Sequence, residues 1–223
     1  MKETELLKVI DIIKNYHGHT VLDGISLNIN PGDGIALVGE NGCGKSTLLR
    51  ILAGLTNQDK GSFFRKTGLK MAWIPDHFDG TPYTLNQFLQ EMMKVEGIFD
   101  EEHKKRLMEY YHEFALDDML SIKMNQLSKG TLQKAAVLQA MIGEYDIIFM
   151  DEPLSGQDYH SQIYFAEQMK EKRQQGTALI MACHEPFLVE QCAEQVFQIS
   201  KGKLVDGASY INNCQKEGQK HED

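Results

Sequence analysis

Gly39-Glu40-Asn41-Gly42-Cys43-Gly44-Lys45-Ser46-Thr47 (GENGCGKST) decides how this 223-residue chain is read. The pattern G-x-x-x-x-G-K-[ST] places glycines where backbone N–H groups converge on phosphate oxygens, and the helix that follows adds the positive end of its dipole. On this reading Lys45 reaches the β- and γ-phosphates of a nucleotide and Ser46 coordinates magnesium. The flanks agree. Ile35–Val38 is short and continuously apolar, as in a buried strand, and a helix is expected from about Lys45 to Leu52.

Working outward, Leu7, Val9, Asp11 and Ile13 alternate toward Tyr16, and Ile25, Leu27 and Ile29 alternate before the turn Pro31-Gly32-Asp33-Gly34. Two antiparallel strands are expected there. A further strand is expected at Met71–Ile74. Leu85, Phe88, Leu89, Met92 and Met93 form a helical stripe, and Leu107, Tyr110, Tyr111 and Phe114 a second, so residues 80–142 read as mostly helical. The methionines of the first stripe are read as core filler. Apolar runs return at Ile147–Met150, Ala178–Ala182 and Val196–Ile199, separated by helices at Gln162–Gln174 and after Pro186. Strands alternating with helices imply a parallel sheet.

Ile147-Ile148-Phe149-Met150-Asp151-Glu152 reads as a buried strand ending in two carboxylates, presented at the carboxyl edge where parallel sheets bind ligands. Asp151 suits magnesium, held directly or through water. Glu152, pointing differently, suits polarising an attacking water as general base. Taken alone, an apolar run followed by Asp-Glu is most often a helix cap; paired with the phosphate loop it is read as functional.

Hydrophobic residues are 42% and charged residues 25% of the chain, which fits an ordinary folded protein. A formal net charge of −9 argues against duplex nucleic acid as partner, and Lys104, Lys105 and Arg106 lie among Glu101, Glu102 and Glu109 as on a solvated helix face. Cys43, Cys183, Cys192 and Cys214 form no C-x-x-C pair, as expected of reduced thiols. The N-terminus has no leader-like pattern, and no run approaches the ~18 apolar residues of a membrane span, so no direct membrane insertion is expected. Residues 207–223 read as a polar tail.

In these landmarks and their order, the chain resembles the ATP-binding cassette (ABC) family over nearly its whole length. The resemblance implies an α/β fold: a P-loop NTPase core with a mainly parallel sheet, an N-terminal antiparallel β-subdomain and an inserted helical subdomain. It implies a single ATPase domain, with the β-subdomain and first part of the core at 1–80, the helical subdomain at 81–142, the second part of the core at 143–206 and the tail after it. Tyr16 then matches the aromatic on which adenine stacks. Leu127-Ser128-Lys129-Gly130-Thr131 resembles the family's signature loop, LSGGQ, and Ser128 is also a plausible N-cap for the helix that follows. Leu154-Ser155-Gly156-Gln157-Asp158 resembles the loop through which two subunits touch, and His184 the histidine that contacts the γ-phosphate.

The nucleotide contacts so implied are Tyr16, Gly39, Glu40, Asn41, Gly42, Cys43, Gly44, Lys45, Ser46, Thr47, Asp76, Ser128, Lys129 and Gly130. Ser46, Asp76 and Asp151 would hold Mg2+, and Glu152 and His184 would be catalytic. The family works as a head-to-tail pair, with ATP on one subunit's phosphate loop covered by the other's signature loop. The resemblance therefore implies a second ATP-binding subunit, identical or a close paralogue. It also implies a multi-span membrane subunit that holds the chain at the cytoplasmic face of the membrane. The chain departs from the family at Asp76, where a glutamine is usual, and at Lys129 and Thr131 in the signature. Asp76 and the Lys129 variant lean toward an export-type transporter. A soluble family member acting in cofactor assembly or protein-complex remodelling is the alternative expectation. The thiol of Cys43, inside the phosphate loop, is a candidate for oxidation that blocks nucleotide binding.

Overall fold

Alternating apolar residues build the first two strands, β1 (Leu7–Tyr16) and β2 (His19–Ile29), which pair antiparallel from Leu7↔Ile29 to Tyr16↔His19. In β2 the expected set holds, with Ile25, Leu27 and Ile29 all buried. In β1 it breaks after Val9. The register shifts between Val9 and Ile12, Asp11 takes a left-handed φ of 51°, and Ile12 rather than Asp11 or Ile13 turns inward. A bulge inserts a residue and swaps the faces that follow, which a period of two cannot anticipate.

The structure, a computed structural model, describes residues 5–207; the expected polar tail beyond 207, with Cys214, lies outside them. The elements that follow are β3 (Gly34–Val38), α1 (Lys45–Leu52), β4 (Lys60–Arg65), β5 (Met71–Ile74), α2 (Leu85–Val95), α3 (Glu101–Glu113) and α4 (Lys129–Ile142). After these come β6 (Ile147–Asp151), α5 (Tyr159–Gln174), β7 (Ala178–Ala182), α6 (Pro186–Cys192), β8 (Gln195–Ser200) and β9 (Lys203–Asp206). β4 and β9 have no clear sequence signal. β4 buries only part of Phe63, and β9 is a four-residue strand at the end of its sheet.

The chain divides into two units. Among the described residues, the first contains 5–73, 145–151 and 170–207. It holds a three-stranded sheet, β2-β1-β4, and a sheet ordered β5-β6-β7-β3-β8-β9, in which β6, β7, β3 and β8 are parallel and β9 antiparallel. β3, β6 and β7 are buried at every residue, which explains their unbroken apolar runs. One core joins the two sheets and α1, from Leu7, Ile12 and Ile29 through Leu37, Leu48 and Leu52 to Phe149 and Ile180.

The second unit, Ile74–Glu144 with Glu152–Met169, is mostly helical. Thr84 caps α2 in a reciprocal box with Gln87, Asp100 caps α3 through His103 N–H, and Ser128 caps α4 through Thr131 N–H. The second expected stripe is inward, and so is the first except Met92, which is only partly buried and is not core filler. Leu85, Phe88, Leu89 and Met93 are buried on α2, and Leu107, Tyr110, Tyr111 and Phe114 on and just after α3. Tyr164 meets Phe114 and Tyr110 edge-on, at centroid separations of 5.8 and 6.3 Å.

Candidate nucleotide site

The parallel register of the first unit aligns the ends of three strands. Leu37 of β3 and Asp151 of β6 both lie opposite Ala182 of β7, so the chain leaves that row as the phosphate loop from one strand, ends in Asp151 on another, and reaches His184 two residues beyond a third. This is the carboxyl edge at which open parallel sheets take ligands.

The phosphate loop itself is shaped by glycine at its last turn. Gly44 is the N-cap of α1 with φ 115°, and a side chain there would press on Leu22 at 3.0 Å and Val21 at 3.1 Å. Gly44 offers α1 no side-chain cap, and uncapped first-turn N–H groups of this kind are suited to an anion. The same packing ties β2 to the loop, and Tyr16, paired with His19 at the other side of that hairpin, is 43% exposed with Lys14 Nζ 5.1 Å from its ring centre.

Lys45 is buried, and its ammonium donates to the Gly39 carbonyl (2.7 Å) and the Glu40 carbonyl (3.2 Å) and lies 3.1 Å from His184 Nε2. His184 Nε2 is also 3.1 Å from Asn41 Oδ1. Burial first, and then the charge of Lys45, hold the His184 imidazole below its ordinary pKa, with Glu185 pulling weakly the other way. The Ser46 hydroxyl donates to Asp151 Oδ1 at 2.8 Å, and Arg50 Nη2 lies 3.7 Å from Asp151 Oδ2. Asp151 is almost fully buried. Lys45, Asn41 and His184 thus lie together, as do Ser46 and Asp151 beside them in the chain and the sheet. Arg50 was missed. Its signal was present, since it follows Ser46 by four residues on the same helix and so shares its face.

Glu152 follows Asp151 in a left-handed conformation, φ 47°, which costs a non-glycine residue about 1–2 kcal/mol. Such strain is concentrated at functional sites.

Within the second unit, Asp76, Lys129 and Gly130 line a cavity of about 300 Å3 together with His77, Gln133, Ser155 and Gly156. Gln133, nearly buried, donates from Nε2 to the Pro75 carbonyl at 2.8 Å and so fixes the residue before Asp76. Gly130 and Gly156 approach so closely that a Cβ on Gly130 would overlap the Gly156 carbonyl. Lys134 of α4 bonds the Phe114 carbonyl at 2.8 Å and the Asp158 carboxylate, while Asp158 caps α5 by accepting from Ser161 N–H at 3.0 Å. Lys134 was not singled out from sequence, because its partner lies 24 residues away.

The fold and the site together define a P-loop nucleotide-binding protein. The family model described as ABC transporter matches residues 22–155, and the chain belongs to this family. It is an ATP-binding ATPase of that family. It is 30% identical over 195 residues, 86% of this chain and 72% of the other, to the zinc import ATP-binding protein ZnuC of Vibrio cholerae serotype O1 (strain ATCC 39315 / El Tor Inaba N16961). It is 27% identical over 221 residues, 94% of this chain and 59% of the other, to the spermidine/putrescine import ATP-binding protein PotA of Haemophilus influenzae (strain ATCC 51907 / DSM 11121 / KW20 / Rd). A solved ATP binding subunit of an ABC transporter superposes with a TM-score of 0.80 at 27% identity, over 89% of this chain and 88% of that one. Among the described residues no helix is long and apolar enough to cross a membrane.

Proposed function

We propose that this chain is the ATP-hydrolysing subunit that powers a membrane transporter, acting as one of a head-to-tail pair of ATP-binding subunits. The observation that carries the reading is the meeting of Lys45, Ser46, Asp151 and His184 beside the phosphate loop, since a phosphate chain and its cation need those groups in one place. Lys45 and the N–H groups of Gly39–Thr47 hold the phosphates. The Ser46 hydroxyl and the Asp151 carboxylate, oxygen donors 2.8 Å apart, suit a small hard cation such as Mg2+, which when bound offsets phosphate charge. Asp76 contributes to the same ion through water. Glu152 takes the proton of the attacking water, His184 holds the γ-phosphate, and Tyr16 stacks on adenine.

Ser128, Lys129 and Gly130 of one subunit cover the nucleotide on the other, so ATP becomes part of the interface and its hydrolysis loosens the pair. A multi-span membrane subunit receives that motion and holds the chain at the cytoplasmic face. The two relatives above are import ATP-binding proteins, and the export lean stated from Asp76 and Lys129 finds no support in them. The test is Glu152→Gln, which retains ATP. With ATP and magnesium it runs as a dimer on gel filtration; a protein that stays monomeric refutes the paired mechanism.

A further inference from the structure

Tyr16 ends a strand whose support changes just before it. β4 begins at Lys60, opposite Ile13, so Lys14, Asn15 and Tyr16 run past its end, and the pairing of β1 with β2 shifts between Lys14 and Asn15. Asp59, the residue before β4, takes over at that point. Its N–H donates to the Ile13 carbonyl at 2.8 Å. One oxygen of its carboxylate accepts from Asn15 N–H at 2.6 Å and Asn15 Nδ2 at 3.1 Å, and the other accepts from Lys14 Nζ at 3.0 Å. Asn15 Oδ1 in turn accepts from the Thr20 hydroxyl at 2.8 Å, which ties the cluster to β2. Immediately after Tyr16 the two-residue turn His17-Gly18, with φ 49° and 83°, closes the hairpin. The ammonium that Asp59 holds is the one that lies over the exposed Tyr16 ring. A planar ring has two faces, and a cation over one leaves the other for a base.

We infer that Asp59 is a positioning residue for the adenine base: it holds the end of β1 and the Lys14 ammonium so that Tyr16 presents one fixed face for stacking. The inference deepens the function above and rests on its assignment of Tyr16 to adenine. Asp59 touches no nucleotide itself and acts through Lys14, Asn15 and Tyr16, from the loop between α1 and β4 and across 44 residues to Asn15. A ring fixed before the nucleotide arrives has little rotamer and backbone freedom left to lose on binding, so affinity rises without a new contact to the ligand. The base takes no part in transfer of the γ-phosphoryl group. Its contribution is therefore the same in the ground state and the transition state, and losing it weakens binding while turnover at saturation stays as it was.

Asp59→Asn keeps the shape of the side chain but in either orientation sets an NH2 against a donor, the Lys14 ammonium or the Asn15 N–H. Calorimetric titration with MgADP, which carries the base and is not hydrolysed, gives the affinity. Tyr16→Ala is expected to weaken binding about tenfold, within what base–aromatic stacking contributes, and Asp59→Asn about three- to tenfold. In the double variant Asp59→Asn adds nothing to Tyr16→Ala, and turnover at saturating ATP is unchanged in each single variant. Unchanged affinity in Asp59→Asn, a loss that adds in full to that of Tyr16→Ala, or slower turnover at an unchanged KM overturns the inference. Should Asp59→Asn fail to fold, Lys14→Met makes the same comparison through the ammonium, and an absent or fully additive effect there refutes it. If Tyr16→Ala binds MgADP as tightly as the parent, the adenine assignment falls and the inference with it. A parent that gives no binding removes the nucleotide site itself, an outcome distinct from the loss of Asp59's role alone.

Discussion

Gly130→Ala tests the close pairing of the signature loop with the segment at 154–158, because two effects of opposite sign compete there. Gly130 is the second residue of α4, and replacing a helical glycine by alanine ordinarily stabilises by about 1 kcal/mol. In this structure the added Cβ overlaps the carbonyl oxygen of Gly156, a backbone atom. That backbone is poorly placed to yield. Ser155 N–H bonds the Glu152 carbonyl and Gln157 N–H the Leu154 carbonyl, each at 3.2 Å, Gln157 Nε2 bonds the Pro153 carbonyl at 2.7 Å, and Lys134 holds Asp158. Overpacking costs about 1–3 kcal/mol, and backbone against backbone belongs at the upper end. Subtracting the propensity gain leaves a loss of about 2 kcal/mol, and at ~2–4 °C per kcal/mol for a chain of this size the melting temperature falls by about 4–8 °C. Scanning calorimetry gives the shift, and steady-state phosphate release gives the activity, which falls because the signature loop is displaced. A variant with an unchanged or higher melting temperature and full turnover refutes the close approach.

Asp158 supplies a pH test. Burial pulls its carboxyl up, and the hydrogen bonds from Lys134 and Ser161 outweigh that and hold it well below the usual carboxylate range. A depressed folded value means stability that is present above the unfolded value and lost as the pH falls through it toward the folded one. Lys134→Met is therefore expected to lower the denaturation midpoint at pH 7, with the gap to the unsubstituted chain narrowing below about pH 4; a gap independent of pH rejects the ion pair as its cause. Cys43 lies in the phosphate loop, partly exposed, with its sulfur crowding the position a side chain on Gly39 would take. If its oxidation blocks nucleotide binding, Cys43→Ala keeps its ATPase activity under peroxide while the unsubstituted chain loses it; equal rates of loss exclude Cys43 as the target.

Some elements were legible because their causes are local. Gly39–Thr47 carries its own glycines at the required spacing, α1 begins at Lys45 as expected, and Ser128 caps α4 with contacts only three residues away. Continuous apolar runs announced β3, β6 and β7 because both faces of those strands are buried. The bulge at Asp11 was not legible, since it is set by pairing with β2 and β4, and neither was β4, whose residues are mostly exposed. The strand ending in two carboxylates pointed to Asp151 and the family resemblance to His184, but neither said which side chains of this protein they meet.

What the sequence by itself determined is the chemistry available: a phosphate loop, a strand ending in two carboxylates, and a capped helix after the signature residues, each written in a few consecutive positions. What only the tertiary structure decided is which of these groups touch. Ser46 meets Asp151 across 105 residues, and Lys45 and Asn41 meet His184 across 139 and 143. Those contacts depend on strand order, which places β7 between β6 and β3 and brings three strand ends to one edge. Strand order is chosen by burial and crossover geometry acting over the whole sheet, and no short stretch of sequence contains it.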